Sequence, residues 1–274
     1  MSSYDDRGPR PADQLMKNVF ADRAPAEVCK VVADGIGGGW RNAERLLSDA
    51  SLMVDAGRLS SARFLITTAR EELAKSPLLL DACMVDFSKH RSVLQKICQA
   101  FYDHVAKHAY IELLEETLID SMDRAGKFWT TAVRRWWPGD VEYGEPDMPH
   151  ATHFDREFPL YLDFGDYEHR WLIPKDDAHR SHYEWSDRIA KVEKLIAPWR
   201  KADADGICTP EVLAIVNSVF KGTYVSVNTT TAALKRLYSV AEARLVAETG
   251  VSSEAFCASP LVRWPLYHFV AQGW

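Results

Sequence analysis

At 274 residues, 47% of them hydrophobic and 26% charged, the chain has the balance of a globular protein with room for a sizeable core. No apolar run approaches the ~20 residues that a membrane span needs, and the polar opening MSSYDDRGPRPADQ carries no secretory signal. A net charge of −6 argues against a general grip on duplex DNA, where a basic face supplies most of the affinity. The five cysteines (Cys29, Cys83, Cys98, Cys208, Cys257) are scattered, odd in number and free of any C-x-x-C pair. That pattern argues against a disulfide framework and a cysteine zinc site and favours a reducing compartment, so, with no apolar span, the expectation is a cytoplasmic protein without membrane contact.

Residues 1–12 read as a flexible tail rich in Asp, Arg, Gly, Pro and Ser. A helical pattern from Ala12 to Ala33 divides at Pro25, and the cluster Gly35, Gly37, Gly38 and Gly39 is expected to break or kink it. Ala43, Leu46, Leu47, Ala50 and Val54 then recur at three- and four-residue steps, the mark of one buried helical face. Asp55-Ala56-Gly57 is a stop signal, and a second amphipathic helix begins at once with Leu59, Ala62, Leu65, Ile66, Ala69 and Leu73. So short a turn predicts an antiparallel pair, and Pro77 should kink or restart the second helix.

One further helix is predicted from about Lys89 to Trp136. Prolines 138, 146, 149, 159 and 174 then exclude long helices, and Leu160–Phe164 with Arg170–Ile173 read as a small β-hairpin. Helices are expected again at about Asp176–Trp199, ended by Pro198, and at Pro210–Lys221 and Thr230–Thr249. The apolar segment Glu254–Trp274 should dock on the body. The fold class is therefore mainly α: an antiparallel helical bundle over residues 13–200, with a hairpin insertion at about 138–175 and a helical C-terminal extension over 201–274.

Three stretches carry a family resemblance. They are Asn42-Ala43-Glu44-Arg45-Leu46-Leu47-Ser48-Asp49-Ala50, Ala56-Gly57-Arg58-Leu59-Ser60-Ser61-Ala62, and Ala69-Arg70-Glu71-Glu72-Leu73-Ala74-Lys75. Together with Phe101-Tyr102-Asp103-His104-Val105-Ala106-Lys107, and with Leu160–Asp163, Trp171 and Pro174, this order resembles the AbiV family of bacterial abortive-infection proteins over roughly residues 40–190. The resemblance implies a HEPN-like helical domain, a homodimer, and a role in phage defence. Many relatives of that fold are metal-independent ribonucleases, whose usual element is an Arg followed after four to six residues by a His. Here Lys96, Ile97, Cys98, Gln99 and Ala100 occupy the positions before His104. The spacing is met instead by Arg263 and His268, outside the matching region.

Several residue sets are candidates for chemistry. Glu71 and Lys75 suit a surface i, i+4 pair, while the resemblance turns Glu71, Glu72 and Lys75 into an inward-facing, ligand-binding cluster. His104 and Lys107 share a helical face, as do His108 and Glu112. In a metal-free ribonuclease His104 would move the proton and Lys107 would stabilise the phosphorane. The His104, His108 and Glu112 stripe alternatively suits a metal-dependent hydrolase. Arg124, Lys127, Arg134 and Arg135, interleaved with Trp129, Trp136 and Trp137, suit single-stranded RNA, or a packed core whose tryptophans are covered by Arg stems. His150, His153, His169, His179 and His182 fit no standard zinc spacing. Gly35–Gly39 lacks the Lys-Ser/Thr of a phosphate loop. The expectation is a phage-defence effector that needs no cofactor or metal and acts on RNA or the translation machinery. A non-catalytic protein that binds a phage product is the alternative.

Overall fold

A computed structural model describes residues 10–115, 163–165, 170–172, 182–226, 228–263 and 265–272. Helix α1 (Pro11–Leu15) runs into a π-helical turn, Met16–Phe20. Helix α2 (Pro25–Asp55) starts with Pro at its first position, where the missing N–H costs nothing. It ends in a Schellman turn: Gly57 at φ 69°, with Arg58 N–H donating to Met53 O at 2.8 Å and Gly57 N–H to Val54 O at 3.0 Å. Helix α3 (Leu59–Cys83) returns antiparallel along it, as the short turn predicts.

The glycine cluster does not break α2, which runs unbroken through all four positions. The reason is tertiary. A Cβ on Gly39 would lie 2.7 Å from Ser76 Oγ and 3.1 Å from the Glu72 carbonyl, and one on Gly35 would lie 2.7 Å from Leu79 Cδ1. These glycines let α2 and α3 approach closely, and the Ser76 hydroxyl donates across the seam to Ile36 O at 2.9 Å. Gly38 is exposed and has nothing within 4 Å of its Cβ position. Gly38→Ala should therefore stabilise the protein by ~0.5–1 kcal/mol through helix propensity alone. Gly39→Ala should destabilise it by a net ~1–2 kcal/mol through overpacking. Chemical denaturation of the two variants checks the opposite signs.

Two other boundaries differ from expectation, and at Pro77, where a kink or a restart is expected, the helix does not restart. Helix α3 passes through Pro77 without restarting, because Leu73, Leu78 and Leu80 are buried on both sides of it. Their burial, ~1.5–3 kcal/mol each, outweighs the ~3 kcal/mol cost of the proline. The helix expected from Lys89 onward is instead two, α4 (Arg91–Tyr102) and α5 (His104–Glu115). They part at Asp103, whose backbone is extended (φ −89°, ψ 125°) and whose Oδ1 accepts from Ala106 N–H at 2.9 Å, an N-cap. Helix α6 (His182–Ala204) continues through Pro198 instead of ending there.

Two three-residue strands, β1 (Asp163–Gly165) and β2 (Arg170–Leu172), pair antiparallel with Phe164 opposite Trp171. An insertion over 138–175 is supported no further than this ladder, its remaining residues lying outside those described. Helices α7 (Pro210–Phe220), α8 (Thr231–Thr249), α9 (Ser253–Cys257) and α10 (Tyr267–Gln272) follow. Thr209, Thr230 and Ser252 cap the first three of these.

The C-terminal elements converge on the end of α3. Buried Asn217 on α7 donates to Cys83 O (2.9 Å) and Val85 O (3.0 Å), satisfying carbonyls that the helix terminus leaves open. Asp81, fully buried, accepts from Arg263 Nη2 (2.6 Å), Leu266 N–H (2.8 Å) and the Tyr110 hydroxyl of α5 (2.8 Å). Arg263 Nη2 also donates to Pro77 O at 2.7 Å. Burial raises the Asp81 carboxyl above its ordinary range, against the pull of Arg263. One buried apolar cluster runs from Ala12 to Val270. No helix among the described residues is long and apolar enough to cross a membrane.

Candidate functional site

Helices α3 and α5 cross with their polar faces together. On α5, residues 104, 107, 108 and 112 follow the three- and four-residue spacing of a single face. On α3, Arg70, Glu71, Glu72 and Lys75 fall within about one and a half turns. Glu71 is the centre. Its Oε2 lies 2.6 Å from His104 Nδ1 and accepts from Lys107 Nζ at 3.0 Å, while His108 Nε2 lies 3.2 Å from Oε1. The side chains of Glu71, Lys107 and His108 are 4%, 6% and 2% exposed, whereas that of His104 is 36% exposed. Only the last is open to a ligand from solvent.

Burial opposes ionisation of Glu71. The adjacent His108, Lys107 and His104 outweigh it and hold the carboxyl well below the usual carboxylate range. An ionised carboxylate only accepts hydrogen bonds, so His104 must donate from Nδ1. In the neutral imidazole this leaves the lone pair on Nε2, the tautomer a general base requires. His108 goes the other way: burial lowers its pKa, only partly countered by Glu71. It is held neutral, with Nδ1 buried and unpartnered.

Two flanking groups extend this cluster. Arg70 Nη2 meets Glu112 Oε1 at 2.5 Å, bridging α3 to α5. Glu72 takes Lys75 Nζ at 2.5 Å and Asn42 Nδ2 of α2 at 2.9 Å, and Asn42 Oδ1 accepts from Arg45 at 2.9 Å. Lys75 also lies over the Phe101 ring, 5.2 Å from its centre. The i, i+4 pair of Glu71 with Lys75 does not form, since Lys75 pairs with Glu72 and Glu71 turns to α5.

Of the other candidates, His104, His108 and Glu112 do not converge on one point. The two histidines face Glu71, and Glu112 faces Arg70. Among the described residues no group of three or more His, Cys, Asp or Glu is arranged to hold a metal ion. Arg263 is spent on Asp81, and the His268 ring packs edge-on to Tyr224 and Phe269. Arg124, Lys127, Arg134, Arg135, His150, His153, His169 and His179 lie outside the described residues. Arg70, Asn42 and Asp81 were not singled out from sequence as site residues. Adjacency to Glu71 was the one signal for Arg70, and nothing local marks Asp81.

The model of the AbiV family, a HEPN-type domain, matches residues 32–199. The chain belongs to the AbiV family. The AbiV match includes every member of the Glu71 cluster, from Asn42 to Glu112. Arg263 and His268 lie beyond its end. No curated protein and no solved structure matches the chain.

Proposed function

We propose that this member of the AbiV family is a phage-defence effector that cleaves single-stranded RNA without a metal, with His104 as its general base. The observation that carries the reading is the Glu71–His104 contact: a buried carboxylate fixes the tautomer of a histidine that solvent can reach. His104 Nε2 would take the proton of a ribose 2′-OH as that oxygen attacks the adjacent phosphorus. The P–O5′ bond then breaks, the 5′-oxygen takes a proton from water, and a 2′,3′-cyclic phosphate remains. Lys107 is buried against Glu71, so its part is to keep that carboxylate charged and in place. The basic and aromatic run Arg124–Trp137 would guide the strand, and a homodimer is the proposed assembly.

The test is incubation of purified protein with end-labelled oligoribonucleotides in the presence of EDTA. Cyclic-phosphate products are expected, and His104→Ala should lower the rate ~10²-fold or more. Intact RNA with the wild-type protein would overturn the enzyme reading. A non-catalytic protein that binds a phage product would then stand. That alternative is favoured by the burial of Lys107 and His108, which leaves His104 as the one accessible member of the trio.

A further inference from the structure

His104 has an open aromatic neighbour. Tyr102, two positions earlier, is 46% exposed, and among the residues whose side chains are described it is the most exposed Phe, Tyr or Trp. The Cα atoms of the two residues lie within about 7.6 Å, the reach of two peptide units. The junction between them is fixed. Asp103 caps α5 through its side chain, and its own N–H donates back to Gln99 O and Ala100 O at 3.1 Å. The Phe101 ring meets Tyr102 edge-on with centres 5.2 Å apart, and Lys75 of α3 lies over Phe101. Lys75 is about one turn beyond Glu71, the residue that holds His104. His104, and Tyr102 through Phe101, are therefore braced on the same face of α3.

We propose that Tyr102 is the platform on which a base of the RNA strand stacks, namely the base of the nucleotide whose 2′-OH His104 deprotonates. This rests on the RNA reading above. Lys75 and Lys107 are already paired with Glu72 and Glu71, so charge alone grips a strand weakly there and an uncharged contact has more to supply. Stacking needs one open ring face, and the edge-on contact with Phe101 leaves at least one. It accepts every base, because each has a π-face, with a modest preference for the larger purines. A base fixed on Tyr102 brings its own sugar towards His104 Nε2, which places the attacking hydroxyl without any contact to the phosphate. The ligand is a strand whose base is unpaired at the cleaved position, since a duplex keeps its bases stacked on one another.

The experiment uses two 2′-O-methyl strands, each with a single ribose that can be cleaved. One carries adenine at that ribose, and the other carries hydrogen at C1′ in place of a base. On the adenine strand Tyr102→Ala should lower kcat/KM about tenfold, the worth of one stacked base. Tyr102→Phe, which keeps the ring, should restore most of the loss, whereas Tyr102→Leu should behave like Tyr102→Ala. On the strand without a base the wild type should fall by a similar factor and Tyr102→Ala should fall no further, as two changes to one contact do not add. If Tyr102→Ala does not fold, Tyr102→Leu decides by the same two comparisons. A variant that matches the wild type on adenine, or that loses equally on both strands, would overturn this inference and leave the cleavage reading standing. Wild-type protein that leaves both strands whole would overturn the RNA reading and the inference together.

Discussion

Arg263→Met should cost ~3–5 kcal/mol of stability, the penalty for leaving one member of a buried ion pair without its partner. Asp81 is wholly buried and Arg263 nearly so, and the guanidinium also satisfies the Pro77 carbonyl. Even a 3 kcal/mol loss would lower Tm by roughly 6–12 °C in a protein of this size. The deficit should depend on pH with a definite sign. The folded pKa of Asp81 already lies above the ordinary value, so protonation favours the fold. Removing Arg263 raises it further. The loss should therefore grow as pH rises through that raised value and shrink on acidification towards ~3.9, where the unfolded carboxyl also takes its proton. Adding Asp81→Asn should recover most of the loss, since the amide oxygen still accepts from Tyr110 or Leu266 while the buried charge is gone. Thermal melts of the single and double variants at several pH values check all of this. Stability of the double variant no better than that of Arg263→Met would show that charge is not the issue.

Glu71→Gln should cost ~3 kcal/mol or more and also abolish the proposed activity. The amide keeps one carbonyl oxygen for His104 and Lys107 but removes the charge that Lys107 is buried against. Here the sign is reversed. The Glu71 carboxyl lies well below its usual range in the folded chain, so its contribution is fully present above the unfolded value of ~4.3. It disappears as pH falls through the folded value. The gap between wild type and Glu71→Gln should thus stay constant at neutral pH and close only in strong acid. Lys107→Met in the same background should restore stability but not cleavage, because the tautomer of His104 stays unfixed. Recovery of cleavage with stability would remove Glu71 from the mechanism.

How far these features were legible in the residues depends on their reach along the chain. The α2–α3 hairpin was plain from apolar spacing and Gly57, both local signals. The glycine cluster misled because helix propensity describes an isolated helix, whereas Gly35 and Gly39 are set by what α3 brings against them. The break at Asp103 hid inside a continuing apolar pattern, although an Asp three residues before Ala106 is itself a capping signal. His104, Lys107 and His108 were recognisable as one face. Their partner Glu71 is 33 to 37 positions away, and only the crossing of α3 and α5 joins them. The link from Arg263 to Asp81 spans 182 positions and leaves no local trace.

The gathering of C-terminal groups at the end of α3 separates two lengths that are easily confused. The stretch shared with relatives stops at Trp199. Yet Asn217, Arg263 and Leu266, all later in the chain, supply the donors that the end of α3 needs, and Tyr110 ties the same carboxylate to the helix bearing His104. The family match therefore ends before the residues that complete the polar contacts at the end of α3, so the extent of the match and the extent of this contact network differ.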